Sequence, residues 1–188
     1  MATKEDLQFR QIFTMKDGAR VLIRPLAKND RQAMLDLFIP VPLEERRYMR
    51  HNINDPEIIT SWTKNIDYDK VFPLIAVVGE RIVGVASLHF YPEYARHRAE
   101  VRIFLAKDFR GRGLGSRLLL ALIEIGKRRS LYILEVQIVR DLPNDIKAME
   151  KVGFQPKCIF EDYIMLPDGE LRDVVHMMMR LREPEGEF

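Results

Sequence analysis

The sequence predicts an α/β (α+β) fold in which a central mixed, mostly antiparallel sheet is flanked by helices. The first indication is a glycine-rich run, Arg110 to Ser116, between a strand-like segment and a long helix with apolar periodicity. The second is the element order, which combines hairpin-like strand pairs with one strand–helix–strand crossover. Composition agrees, because 47% hydrophobic and 31% charged residues over 188 positions suit a chain with a proper core.

The first half of the chain alternates strands and helices. Residues 1–15 are predicted to be a polar lead-in, and its scattered apolar side chains are expected to pack against an edge of the domain or against a partner molecule. Val21 and Ile23 indicate a first strand, and Asn29-Asp30 then offers caps for a helix. Asp55-Pro56 is a second strong helix start. The remaining expectations here are a helix over 43–49, a helix over 55–66, and a hairpin of strands 72–78 and 81–90.

The second half carries the crossover. A strand over 98–105 leads into the glycine run, and a helix over 114–129 ends in a cationic cluster that suits a helix C-terminus. A strand over 131–139 follows, and a short helix then runs to Lys151 and stops at Gly153. Two closing strands flank the Asp168-Gly169 turn.

Composition also excludes several classes of protein. Thirty basic and 28 acidic residues give a formal charge of +2, which argues neither for nor against a nucleic-acid partner. The basic residues near the loop divide between two ends of one helix, about 20 Å apart, without interleaved aromatics. One cysteine, Cys158, excludes a disulfide framework, and the N-terminus lacks the apolar core of a signal peptide. With no apolar run of about 18 residues, a cytoplasmic protein without a membrane span is predicted.

The four histidines show no metal-ligand spacing, so no metal site is predicted: His51, His89, His97 and His176.

The glycine run predicts a phosphate-binding loop at the N-terminus of the following helix. Glycines at a strand-to-helix turn leave the first N–H groups of the helix open to a ligand, and the helix dipole adds partial positive charge. The spacing is neither that of a dinucleotide-binding fingerprint nor that of a P-loop. It fits [Q/R]-x-x-G-x-[G/A] through Arg110, Gly113 and Gly115.

In this context the chain resembles the GNAT superfamily, the Gcn5-related N-acetyltransferases. The resemblance covers roughly residues 16–182 and includes the opening from Asp17-Gly18 to Arg24-Pro25 and the late hairpin at Pro167-Asp168-Gly169. It implies six to seven strands and four to five helices in one acetyltransferase domain over 1–188, with a short acidic tail at 183–188. It further implies acetyl-CoA as cosubstrate and a monomer or homodimer.

The resemblance assigns roles to individual residues. Glu100 is the candidate general base, and an ion pair with Arg102 is the structural alternative, left open. Backbone groups of the preceding strand are expected to bind the pantetheine arm and polarise the acetyl carbonyl. The implied cofactor-binding residues are Ile103, Phe104, Leu105, Arg110, Gly111, Arg112, Gly113, Leu114, Gly115, Ser116 and Asn144.

Two departures from the family pattern stand out. Met149 occupies the place where many relatives have a tyrosine that protonates the leaving thiolate, so the thiolate is expected to leave unassisted or to use water or another residue such as Tyr163. The family's helix-start asparagine falls near Leu142, whereas Asn144 lies two residues later.

The leading hypothesis is transfer of the acetyl group of acetyl-CoA to a primary amine, either a protein lysine, a protein N-terminus or a small amine, by direct attack in a ternary complex. The opening from Asp17-Gly18 to Arg24-Pro25 resembles the acetyltransferase domains of bacterial protein-lysine acetyltransferases, which favours a protein acceptor. The alternative is a non-catalytic acyl-CoA sensor or interaction module.

Overall fold

The computed structural model describes residues 2–50 and 53–182, so the acidic tail predicted at 183–188 and His51 lie outside the described residues. Within them the chain forms eight strands and six α-helices. The strands are β1 (Gln11–Thr14), β2 (Arg20–Pro25), β3 (Val71–Val78), β4 (Arg81–Phe90), β5 (Arg98–Leu105), β6 (Ile133–Val139), β7 (Gln155–Met165) and β8 (Leu171–Arg180). The helices are α1 (Lys4–Leu7), α2 (Arg31–Phe38), α3 (Leu43–Arg46), α4 (Pro56–Lys64), α5 (Leu114–Arg128) and α6 (Pro143–Val152).

Hydrogen bonds link the strands in the order β1-β2-β3-β4-β5-β6-β8-β7. The ladders β1–β2, β2–β3, β6–β8 and β7–β8 are antiparallel, whereas β5 and β6 are parallel. A parallel pair needs a crossover connection, which α5 supplies. The predicted mixed, mostly antiparallel sheet flanked by helices is therefore confirmed, with slightly more strands than the six to seven expected.

The first of two compact units contains the described residues up to Ser87 together with Ile103–Leu122. Its core combines strands β2 and β3 with the buried side of α2 and the first half of α5. The fully buried side chains include Val21, Ile23, Leu74, Ile75, Leu114 and Leu118. Leu114 and Leu118 lie four positions apart, so one face of α5 is buried from its first residue.

The second unit contains Leu88–Arg102 and the described residues from Ile123 onwards. Its core includes Leu134 and Val136 of β6, Met149 of α6, Phe154 and Met177 of β8. Helix α6 ends at Gly153, whose φ of 113° is the left-handed stop that the sequence predicted. The prediction of a single domain over residues 1–188 stays a prediction.

The described part of the predicted lead-in, residues 2–15, is structured. Thr3 caps α1, and β1 forms an edge strand against β2, with Gln11 opposite Ile23 and Thr14 opposite Arg20. Its four residues alternate between half-buried and exposed, a weak pattern that depends on pairing with β2. The sequence description of this segment as a polar lead-in missed that strand.

Among the described residues, no helix is both long and apolar enough to cross a membrane.

Candidate functional site

The glycine loop lies in the first unit, directly after β5. Strand β5 ends at Leu105, and a 3₁₀ turn, Lys107–Phe109, buries Phe109 before the chain turns back into α5. Gly111 and Gly113 have φ values of 69° and 86°, a region that costs other residues about 1–2 kcal/mol. The sequence therefore needs glycine at both positions to make this turn.

Within the described residues, none of the six successive backbone N–H groups from Gly111 to Ser116 makes a well-formed hydrogen bond to a protein acceptor, and in this sense we call these donors open, although Leu114 itself is buried. Arg117 is the first to bond back, to the carbonyl oxygen of Gly113 at 3.2 Å. The first turn of any helix leaves such donors unused, and the dipole makes that end partially positive. Six donors in succession are the arrangement that binds a phosphate or pyrophosphate.

The surroundings of the three glycines divide the loop into an open part and a packed part. A Cβ atom added at Gly111 or Gly113 would meet no heavy atom within 4 Å. One at Gly115 would lie 3.3 Å from Cδ1 of Leu105 and 3.8 Å from Cδ1 of Ile103. Gly115 therefore brings α5 close to the end of β5, while the other two leave space above the donors.

Arg110 is fastened to the strand that precedes it. Its Nε donates to the carbonyl oxygen of Leu105 at 3.0 Å, and its guanidinium lies 5.5 Å from the ring centroid of Phe104. Its Nη2 donates to Oε2 of Glu45 on α3 at 2.6 Å. Phe104 in turn stacks on Phe38 of α2 at 4.9 Å. These contacts hold the start of the loop against α2 and α3.

Arg112 and Arg117 add positive charge beside the donors. Arg112 donates to the carbonyl oxygen of Asp108 at 2.8 Å, lies over the ring of Phe109, and forms an ion pair with Asp17. Arg117 lies 5.3 Å from the ring centroid of Phe13. The loop thus carries three cations, and two of them are engaged by carboxylates.

The 3₁₀ turn below the loop is braced by Arg81 of β4. Its guanidinium donates to both oxygens of Asp108, at 2.6 and 2.9 Å. This hydrogen bonding holds the pKa of Asp108 below its usual range. A bidentate arginine–carboxylate pair fixes geometry more strictly than a single contact, so it orients the turn that leads into the glycines.

Glu100 lies on β5 in the second unit and is 7% exposed. Arg102 donates from Nη2 to its Oε2 at 2.9 Å, so the ion pair that the sequence offered as the alternative is present. Glu100 is also the last residue of β5 in the parallel ladder, which pairs Arg98–Glu100 with Ile133–Glu135. Beyond Glu100 the ladder stops while both strands continue. The role of Glu100 as base stays a prediction.

A second buried glutamate was missed by sequence reasoning. Glu135 of β6 is 4% exposed and lies directly opposite Glu100 in the ladder. Its Oε1 lies 3.1 Å from Nη1 of Arg98, and its Oε2 lies 3.1 Å from Nε2 of His176 on β8. A single glutamate among apolar residues in Ile133–Val139 was the available signal, but the register that places it beside Glu100 is not visible in the sequence.

The remaining predicted residues lie in the second unit as well. Asn144 is exposed in the first turn of α6, and its role in cofactor binding stays a prediction. Met149 is 5% exposed in the core, which agrees with a residue that donates no proton. Tyr163 is exposed on β7 and stacks on Phe160 at 4.8 Å.

No group of three or more histidine, cysteine or acidic residues in the described ranges has the arrangement of a metal site.

Comparison with known proteins gives a consistent result. The model of the acetyltransferase (GNAT) family matches residues 34–154, well over half of the chain. The GNAT domain of PAT from S. lividans is 18% identical, with 96% of this chain and 99% of that domain covered and a TM-score of 0.76.

Two structures with a bound nucleotide are similar too. The protein yncA of Salmonella typhimurium, with its cofactor acetyl-CoA, is 18% identical over 88% of this chain and 96% of its own, with a TM-score of 0.73. RimL, a ribosomal L7/L12 alpha-N-protein acetyltransferase in complex with coenzyme A, is 16% identical over 90% and 98%, with a TM-score of 0.77. At these identities the structures establish the fold.

The family match includes β5, the glycine loop and α5. It confirms the resemblance inferred from the sequence, and with it acetyl-CoA as the acetyl donor that the family uses. The chain therefore belongs to the GNAT family of acetyltransferases.

Proposed function

We propose that this chain transfers the acetyl group of acetyl-CoA to a primary amine, by direct attack of the amine in a ternary complex. The observation that carries the proposal is the row of six open N–H donors from Gly111 to Ser116 at the start of α5. A pyrophosphate needs several donors and a positive potential, and this loop offers both without side chains in the way. Its match to the family's motif supports coenzyme A as the source of that pyrophosphate.

The residues have separate parts in the reaction. The thioester supplies an activated acetyl group, and the amine nitrogen forms the new bond to its carbonyl carbon as the carbon–sulfur bond breaks. A lysine-type amine has a pKa of about 10.4 and is protonated at neutral pH, so it must lose a proton before attack. Glu100 accepts that proton, directly or through water, and backbone N–H groups at the end of β5 polarise the carbonyl.

Once the new bond forms, the nitrogen's second proton passes to solvent as the amide is completed, and the departing thiolate takes a proton from a source other than the family's tyrosine position. Met149 is apolar and buried, so water or Tyr163 serves this step. Tyr163 is exposed and therefore open to solvent exchange.

The acceptor is a protein lysine, a protein N-terminus or a small amine. Similarity to RimL, which acts on a ribosomal protein, and to the GNAT domain of PAT supports a protein acceptor. The cytoplasmic location and the monomeric or homodimeric state inferred from the sequence stay predictions.

A non-catalytic acyl-CoA sensor is the second candidate. Two observations favour it: the carboxylate of Glu100 is engaged by Arg102, and Met149 cannot act as an acid. Release of free coenzyme A thiol in the presence of a panel of primary amines separates the two functions. An enzyme shows amine-dependent release, whereas a sensor binds acetyl-CoA without turnover.

The proposed pyrophosphate site at Gly111 to Ser116 is tested by comparing the acetyl-CoA affinities of the Ser116→Glu and Ser116→Gln variants. Ser116 is exposed in the first turn of α5, where a carboxylate suits the helix dipole and therefore does not destabilise the helix. Calorimetric titration with acetyl-CoA is expected to show binding at least about tenfold weaker for the glutamate variant, and within about threefold of wild type for glutamine. Equal affinity in both variants contradicts the placement of the pyrophosphate.

A further inference from the structure

Two of the three arginines at the loop are engaged by carboxylates from distant parts of the first unit. Arg110 pairs with Glu45 of α3, 65 residues away in sequence, and Arg112 pairs with Asp17 in the turn between β1 and β2. In each case a protein carboxylate holds a cation at the edge of a site built for an anion. The loop's positive charge is therefore partly neutralised before any ligand arrives.

Glu45 is the more informative of the two carboxylates, because it belongs to a helix that other contacts also hold. Its Oε2 accepts a 2.6 Å hydrogen bond from Nη2 of Arg110. The next residue, Arg46, donates from Nε to the carbonyl oxygen of Val41 at 2.6 Å. Arg46 thus ties α3 to the preceding chain at Val41, and Glu45 ties it to the glycine loop through Arg110.

We infer that Glu45 and the phosphates of coenzyme A compete for Arg110, so that cofactor binding releases α3 from the glycine loop. This inference rests on the proposed function, since it requires coenzyme A at the loop. Both side chains of the pair are partly exposed, and exposed ion pairs contribute little to stability. A pyrophosphate carries more charge than one carboxylate and matches the arginine fork, so it displaces Glu45.

The competition couples two parts of the unit. If coenzyme A bound at Arg110 weakens the Glu45–Arg110 ion pair, then loss of that ion pair must raise the affinity for coenzyme A by the same factor, because coupling between two sites is reciprocal. Glu45 is therefore a positioning residue that lowers the affinity for coenzyme A. Through Glu45, binding of coenzyme A also frees α3 from its contact with the loop. Helix α3, Leu43–Arg46, is about one turn long, and a helix of that length has little stability of its own.

The test compares Glu45→Gln with Glu44→Gln. Both variants remove one negative charge from α3, but Glu44 is exposed and does not contact Arg110. Titration with coenzyme A is expected to show roughly two- to fivefold tighter binding for Glu45→Gln and wild-type affinity for Glu44→Gln. In the wild type, coenzyme A is expected to speed amide hydrogen exchange over residues 43–49, and in Glu45→Gln exchange there is fast from the start.

The contrary outcomes are distinct. Weaker binding by Glu45→Gln means that Glu45 orients Arg110 toward the ligand, which overturns the competition. Equal affinities of both variants and the wild type also overturn it, while leaving the proposed function intact. Absence of coenzyme A binding in all three proteins overturns the proposed function and this inference together. Thermal melting of the variants, expected to match the wild type, shows that folding is not the cause.

Discussion

Two buried glutamates, Glu100 and Glu135, face each other across neighbouring parallel strands. Like charges directly opposite one another repel, so each needs its own counter-charge. Arg102 serves Glu100, and Arg98 serves Glu135, whose Oε2 also lies 3.1 Å from Nε2 of His176. The proposed base therefore lies among charged groups, and one of its two carboxylate oxygens accepts a hydrogen bond from Arg102.

Replacing Glu100 by glutamine tests its role at this scale. An amide keeps the shape but accepts no proton, so kcat for amine acetylation is expected to fall about 10²- to 10⁴-fold. Acetyl-CoA affinity is expected to stay within about threefold of the wild type, because the loop is unchanged. Steady-state kinetics and calorimetric titration measure the two quantities.

Glu135→Gln is the matched control, since it neutralises the other buried glutamate of the ladder. Its main effect is expected on stability, because Arg98 and His176 lose a charged partner, with kcat falling less than in Glu100→Gln. A kcat for Glu100→Gln within about threefold of wild type would show that Glu100 is a structural carboxylate.

Among the secondary-structure elements, the turn from β5 into α5 uses glycine for two different reasons. Gly113 has a φ of 86° and open space around it, so glycine is there for its backbone freedom. Gly115 is helical, and its missing side chain lets α5 lie close to Leu105. One residue type thus solves a conformational problem and a packing problem two positions apart.

Alanine at these two positions is expected to act differently. Gly113→Ala is expected to lower the free energy of unfolding by about 1–2 kcal/mol, because alanine resists a positive φ. Gly115→Ala is expected to change it by less than about 1 kcal/mol, because better helix propensity offsets the 3.3 Å approach to Leu105. Urea unfolding measures both, and an equal loss in the two variants would contradict this division.

The sequence predicted those elements whose signals are local. The start of α5 after the glycine run, the stop of α6 at Gly153 and the crossover between β5 and β6 all follow from residues adjacent in the chain. Features that depend on distant pairing were missed. Strand β1 gains its structure from β2, Glu135 reaches Glu100 through strand register, and Glu45 meets Arg110 across 65 residues.

For the molecule as a whole, carboxyl groups with a lowered pKa make stability depend on acid, and Asp30, Asp108 and Asp173 are examples. Burial raises the pKa of Asp30, but hydrogen bonds from Arg24 and from the N–H of Ala27 outweigh it and leave the pKa below the usual 3.8.

Hydrogen bonding also lowers the pKa of two further carboxyl groups. Arg81 lowers that of Asp108, and the N–H of Asp162 together with Arg140 lowers that of Asp173. The unfolded state therefore binds more protons in acid, and stability falls as pH drops from about 3.8 through the lower folded values.

Asp30→Asn is expected to show that dependence directly. Asp30 is 6% exposed and accepts hydrogen bonds of 2.6 and 2.7 Å from Arg24, so at pH 7 the variant should be about 1–3 kcal/mol less stable. Well below pH 3.8 the difference should shrink, because the wild-type carboxyl is protonated as well. Urea unfolding at a series of pH values, with exposed Asp36→Asn as the control, measures it. A difference independent of pH would contradict the assignment.

The open N–H groups at the start of α5 are proposed to bind the pyrophosphate of coenzyme A. An NMR titration of the ¹⁵N-labelled chain with coenzyme A tests this by following each backbone amide. The largest and saturable shifts are expected at the amides from Gly111 to Ser116, since these six donors gain an anionic acceptor. Saturable binding that leaves these six amides unmoved, or no binding at all, would contradict this proposal.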